Sequence, residues 1–93
     1  MSCEFEYRFP SCIVRENTVV GQANHAADEV HEAVVEIAAG DREAAMVELL
    51  DAVHAIETAL RMMGCTAQEL NVAWSKVFSK NARRGYYGDG RAQ

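Results

Sequence analysis

The chain has 93 residues, of which 49% are hydrophobic and 25% are charged, and its net charge is −5. This length suits one small domain with a single core, and the composition is that of a folded rather than a disordered protein. The negative charge argues against a nucleic-acid polymer as partner, because proteins that bind one carry a basic surface. No apolar run approaches the length of a membrane span, so we also expect no membrane partner.

The cysteine pattern bears on the compartment. Cys3, Cys12 and Cys65 are odd in number and include no closely spaced pair, which favours a reducing environment. The first residues are charged where a signal peptide would be apolar. We therefore expect a cytoplasmic protein whose cysteines are ordinary small packing residues.

The first segment in chain order, residues 1–16, is predicted to be an extended arm. Phe5, Tyr7, Phe9 and Ile13 are spaced among polar residues, and Pro10 blocks a helix. We expect this arm to pack on a helical body.

Two helices are predicted to follow the arm. The first begins at Asn17 or Thr18, which are both good N-caps, and stops at Gly40. Asp41 then caps a second helix, which ends at Gly64. Because the break between them is short, the two helices should turn back on each other.

A third helix is predicted from the capping-box pattern Thr66-Ala-Gln-Glu69. It should end near Asn81-Ala82, and residues 82–93 have the glycine content of a flexible tail. The chain is thus expected to be a single all-α domain over residues 1–93.

Acidic side chains recur at helical spacing on both of the first two helices. At about 100° per residue, Glu29, Glu32 and Glu36 share one strip of the first helix. Glu48 and Asp51 share a strip of the second helix. If the strips face each other, the carboxylates repel and raise one another's pKa, and such a cluster calls for a cation.

Apolar stripes run beside the acidic strips, and they are wide for such short helices. They consist of Ala26, Val30, Ala33, Val34 and Ile37 on the first helix and Leu49, Ala52, Val53, Ile56 and Leu60 on the second. A partner surface is needed to cover them, so we predict a homo-oligomer, a dimer or a tetramer, with a four-helix-bundle core built from helix pairs of two protomers.

The paired acidic motifs resemble a known family. Asp28-Glu29-x-x-Glu32 followed by Glu48-x-x-Asp51 is similar to the E-E-x-x-E … E-x-x-D signature of the MazG-like all-α nucleoside triphosphate pyrophosphohydrolases. The resemblance covers roughly residues 18–87 and includes the basic ending Lys76-x-x-x-Lys80-Asn81-x-x-Arg84. Asp28 departs from the pattern, so we do not assign it as a ligand.

The start of the chain is similar to one branch of that family. Phe9-Pro10, Thr18 and His25-x-x-x-Glu29-x-x-Glu32 resemble the phage-type dATP/dGTP diphosphohydrolases.

The resemblance implies an activity and a set of site residues. Such enzymes hydrolyse a ribo- or deoxyribonucleoside triphosphate to the monophosphate and pyrophosphate, in nucleotide-pool house-cleaning or in phage and mobile-element nucleotide metabolism. The resemblance implies that the same four residues bind Mg²⁺, or Mn²⁺, and are catalytic: Glu29, Glu32, Glu48 and Asp51. The implied substrate-binding residues are Lys76, Lys80, Asn81 and Arg84. A carboxylate of the first strip could accept the proton from water, and Tyr86 or Tyr87 could stack on the base.

Two other functions fit the same residues. Asp28-x-x-His31 and Asp51-x-x-His54 place an acid and an imidazole at the spacing found in di-iron or di-manganese bundles. A non-catalytic helical interaction module would use only the apolar stripes. It predicts no metal-dependent hydrolysis.

Overall fold

The computed structural model describes residues 4–13 and 17–88 of the chain. Within this part, the chain forms three α-helices and no strand: α1 (Val19–Ala38), α2 (Arg42–Met62) and α3 (Ala67–Arg83). The expected all-α class is confirmed. Cys3, the other predicted arm residues at 1–3 and 14–16, and the predicted tail residues 89–93 lie outside the described residues.

The helices begin at the predicted caps. The Thr18 hydroxyl accepts a hydrogen bond from the Gly21 amide at 2.9 Å, and Asp41 accepts one from the Ala44 amide at 3.1 Å. Thr66 and Glu69 form the reciprocal capping box. These short-range bonds satisfy amides that would otherwise have no partner in the first turn.

The helix ends are also close to those predicted. Gly40 and Gly64 follow α1 and α2 with φ of 80° and 72°, a conformation that glycine adopts at little cost. The third helix runs one residue beyond Ala82, to Arg83, and turns follow over residues 84–88.

The chain divides into two compact units, which are described separately. The smaller one contains α3 and residues 4–6 of the arm. In it, the Phe5 amide donates to the Asn71 side chain at 2.7 Å, and the Phe5 ring meets the Trp74 ring edge-on at 5.6 Å. Trp74 remains 45% exposed, so it is not a core residue.

The larger unit, Tyr7–Gly64, is built on the antiparallel pair of α1 and α2. The contact between the helices is lined by small side chains: the buried residues Ala26, Ala33, Ala45, Ala52 and Ala55. Methyl side chains let two helices approach closely but bury little apolar area, and this unit therefore gains little stability from its own core.

The large apolar side chains lie to one side of this contact and form what we call the apolar face. Val30, Val34 and Ile37 contribute from α1, and Met46, Leu49, Val53 and Ile56 contribute from α2; each is between 37% and 57% exposed. A groove lined by Ile37, Met46 and Leu49 joins the two helices on this side. The predicted apolar stripes are thus divided, with alanines in the contact and larger residues at the surface.

Arm residues 7–13 pack along α2, which agrees with the predicted arm. Among the described residues, no helix combines the length and the apolar character that a membrane crossing requires.

Candidate metal centre

Three of the predicted acidic residues meet between α1 and α2. Glu29, Glu48 and Asp51 each place one carboxylate oxygen so that all three oxygens lie within 4.8 Å of one another. Glu29 lies three residues after Ala26 and four before Ala33, and Glu48 has the same relation to Ala45 and Ala52. Both acids therefore occupy the helix–helix contact itself, where the neighbouring alanines bring the two backbones close.

Glu48 of this carboxylate cluster has a shifted pKa. Its pKa is raised from 4.5 to about 7, first because partial burial removes water from the charged form, and then because of the adjacent Glu32 and Glu29 carboxyls. Its Oε2 is shielded from solvent and has no hydrogen-bond partner among the described residues. The neighbouring carboxyls can only accept unless one of them carries a proton, so a cation or a proton must complete the cluster.

The remaining acids of the strip have different surroundings. Glu32, the fourth predicted ligand, lies beside Glu48 but is not part of the three-residue group. Glu36 is half-buried farther along α1 and is not part of the three-residue group. Asp28 is exposed, and it is not part of the three-residue group either.

His25 borders the cluster without entering it. Its Nε2 lies 3.4 Å from Glu29 Oε1, one helical turn away, and its side chain is 55% exposed. The imidazole can therefore orient the Glu29 carboxylate while the other carboxylate oxygen remains available.

The chemistry of the donor set fits Mg²⁺ or Mn²⁺. The converging donor atoms are all carboxylate oxygens, which hard divalent cations prefer. The histidines of the di-metal alternative are not in the three-residue group, and His31 is exposed on α1.

The basic residues of α3 are arranged differently from the predicted substrate-binding set. Lys76 and Lys80 border an open surface depression of about 660 Å³ together with Arg83, at i, i+4 and i+7 on one face of the helix. Arg84 is the C-cap of α3, and its guanidinium lies 6.0 Å from the Tyr86 ring. The half-buried Asn81 accepts a hydrogen bond from the Tyr86 amide through its backbone carbonyl.

The two tyrosines after α3 also differ from each other. Tyr87 packs on Phe78 with ring centroids 5.0 Å apart. Tyr86 is 65% exposed, so of the two it is the more accessible ring.

Comparison of the chain with protein families, with curated proteins and with solved structures finds no match. The resemblance of the two acidic motifs to the MazG-like enzymes therefore rests on the residues quoted above.

The position of Arg83 beside Lys76 and Lys80 follows from the sequence, because its spacing places it on their helix face. The contacts of Glu57 and Arg61 with the arm are not evident from the sequence, because they join residues about fifty positions apart in the chain.

Proposed function

We propose that this chain is a Mg²⁺-dependent nucleoside triphosphate pyrophosphohydrolase that releases pyrophosphate and a nucleoside monophosphate. The observation that carries the proposal is the convergence of the Glu29, Glu48 and Asp51 oxygens, with Glu32 beside Glu48. The similarity of the acidic motifs to those of the MazG-like enzymes supports the same activity.

The residues that would hold the metal are Glu29, Glu32, Glu48 and Asp51. When bound there, Mg²⁺ would neutralise the charge of a triphosphate and activate water. A cation held there would favour the charged form of Glu48, because a positive charge stabilises a carboxylate. A carboxylate of the Glu29, Glu32 and Glu36 strip that is not engaged with the cation accepts the proton of the attacking water.

His25 holds Glu29 in place from the edge of this cluster. Its contact with Oε1 restricts the rotation of the carboxylate, so that the orientation of Glu29 does not depend on the ligand alone.

The cations of α3 are proposed to bind the outer phosphates. Lys76 and Lys80 are part of the motif shared with the family, and Arg83 lies on the same helix face. For Asn81 and Arg84, substrate binding remains a prediction that rests on the family resemblance alone. Lys80→Gln should raise KM for the triphosphate more than it lowers kcat, and an unchanged KM would exclude phosphate binding by this residue.

Self-association is part of the proposal. The small alanine contact between α1 and α2 leaves the apolar face uncovered, and a second copy that packs on it would complete a four-helix core. We therefore propose a dimer or a tetramer, because a single copy leaves its apolar face exposed.

The test is a pyrophosphate-release assay over all ribo- and deoxyribonucleoside triphosphates with Mg²⁺ or Mn²⁺. Glu48→Gln should lower kcat by about 100-fold or more, because it removes a charged metal ligand while keeping the side-chain shape. Glu43→Gln is the matched control, since Glu43 is an exposed acid in the first turn of the same helix. Absence of hydrolysis by the parent with every substrate, or equal activity in Glu48→Gln, would refute the proposal.

A further inference from the structure

A cavity of about 450 Å³ lies beside the carboxylate cluster and shares Glu29 and Asp51 with it. Its volume is within the range of small-molecule sites, roughly 300–1,000 Å³. Its other walls come from the two helices and from the arm, and they include Gln22, His54, Thr58, Cys12 and Ile13.

Two residues of α2, Glu57 and Arg61, hold the arm segment that forms one wall of this cavity, and we call this pair the clasp. Glu57 is only 4% exposed, and its carboxylate accepts hydrogen bonds from the Arg8 amide at 3.0 and 3.1 Å and from the Phe9 amide at 2.9 Å. Arg61 donates to the Phe9 carbonyl at 2.9 Å, and its guanidinium lies 3.9 Å from the centre of the Tyr7 ring. A buried carboxylate is costly unless it is fully hydrogen-bonded, so this arrangement fixes the arm backbone at Arg8 and Phe9.

The arm in turn contacts two α2 residues that line the cavity. The Phe9 ring stacks on the His54 ring at 4.7 Å with an angle of 15° between the planes. Farther along the arm, Cys12 Sγ lies 3.3 Å from the Thr58 hydroxyl. His54 and Thr58 both line the cavity, so a shift of the arm would move or release each of them.

The His54 ring is also incompletely hydrogen-bonded. Its Nε2 is shielded from solvent and has no hydrogen-bond partner among the described residues. Unpaired buried ring nitrogens are uncommon in folded proteins. Because solvent does not reach this atom, a ligand in the cavity could pair with it only after the ring or the arm moves.

We propose that this cavity receives the nucleoside part of the substrate and that arm residues 7–13 are a specificity element, with Glu57 as its positioning residue. The inference rests on the proposed function for the identity of the ligand. A triphosphate held at the carboxylate cluster places its nucleoside within reach of a cavity that has Glu29 and Asp51 in its own wall. Glu57 contacts the arm backbone and acts on the ligand only through Phe9, His54 and Thr58.

Two variants separate this role from a purely structural one. Glu57→Gln keeps the shape of the side chain but weakens its bonds to the two amides, and Phe9→Leu keeps the clasp but removes the ring that stacks on His54. Both should raise KM for nucleoside triphosphates about tenfold, with a much smaller change in kcat, and alter the order of preference among the bases. Glu43→Gln is again the control, and Mn²⁺ affinity measured without nucleotide should be the same in all four proteins.

The proposal is overturned if neither variant changes KM or base preference, or if Mn²⁺ affinity falls along with nucleotide affinity. If Glu57→Gln does not fold, Phe9→Leu decides the question alone.

Failure of the proposed function gives a different pattern. If the parent hydrolyses no triphosphate, binding of AMP and dAMP in the presence of Mg²⁺ is followed through the NMR signals of Phe9, His54 and Thr58. Specific shifts that are lost in Phe9→Leu support the nucleoside cavity even without hydrolysis, and unchanged signals overturn it.

Discussion

At the scale of single residues, Glu48 connects folding with the proposed chemistry. The helix–helix contact shields its carboxylate from water and places it next to those of Glu32 and Glu29, which together raise its pKa to about 7. A protein without a bound cation must therefore either keep a proton on Glu48 or accept the repulsion of like charges.

This perturbation predicts a pH-dependent stability in the absence of metal. Because the folded protein holds the Glu48 proton more tightly than the unfolded chain does, the contribution of Glu48 to stability falls as pH rises from 4.5 to about 7. The penalty is absent below this window and complete above it. In EDTA, thermal unfolding of Glu48→Gln should therefore occur at a higher temperature than that of the parent at pH 8, and the difference should shrink toward pH 5.

The same pair of proteins supplies the check with metal. Mg²⁺ should raise the unfolding temperature of the parent at pH 8 and raise that of Glu48→Gln less, because only the parent retains all four proposed ligands. A difference between the two proteins in EDTA that is independent of pH would show that Glu48 titrates normally.

At the scale of the elements, α1 contains a glycine that helix propensity alone would replace. Gly21 lies in the first turn, and a Cβ built there would overlap the Asn17 side chain. That side chain accepts a bond from the Thr18 amide at 2.9 Å and donates to Gln22 at 3.0 Å. The start of α1 is therefore organised around the absence of a side chain at position 21.

Gly21→Ala is predicted to destabilise the protein despite the better propensity of alanine. The propensity gain of about 1 kcal/mol is offset because Asn17 must give up its two hydrogen bonds, and we expect a net loss of about 1 kcal/mol in urea unfolding. Ala23→Gly, at an exposed position of the same helix, should lose about 1 kcal/mol from propensity alone. A more stable Gly21→Ala protein would show that Asn17 moves aside without cost.

Local signals account for what could be predicted about the elements. Thr18, Asp41 and the Thr66–Glu69 capping box act within four residues, so their roles are readable from the sequence. The spacing of Glu29 and Glu48 also placed both on the facing sides of two antiparallel helices. The bond from Glu57 to the arm was not predictable, because a buried acid at that position is explained only by a segment far away in the chain.

At the scale of the whole molecule, the uneven distribution of apolar side chains is the main feature. The contact between α1 and α2 is made of alanines, and the valine, leucine, isoleucine and methionine side chains of the apolar face remain accessible to solvent. A contiguous exposed patch of this kind is typical of an interaction surface.

Neighbouring valines of α1 provide a matched test of self-association. Val34 belongs to the apolar face and Val35 points about 100° away around the helix, yet they are 55% and 59% exposed. Val34→Asp should weaken the oligomer about 100-fold or more, because it buries a charge in an apolar contact, whereas Val35→Asp should leave it intact. Light scattering coupled to size exclusion measures both. A monomeric parent, or equal effects of the two substitutions, would remove the oligomer from the proposal.

Titration with Mn²⁺, followed by electron paramagnetic resonance and with Mg²⁺ as competitor, tests most directly whether the converging carboxylates bind a hard divalent cation. The parent and Glu43→Gln should bind Mn²⁺ alike, Mg²⁺ should displace it, and Glu48→Gln should bind at least about tenfold more weakly. Binding that is absent in the parent, or that is equally strong in Glu48→Gln, would contradict the account.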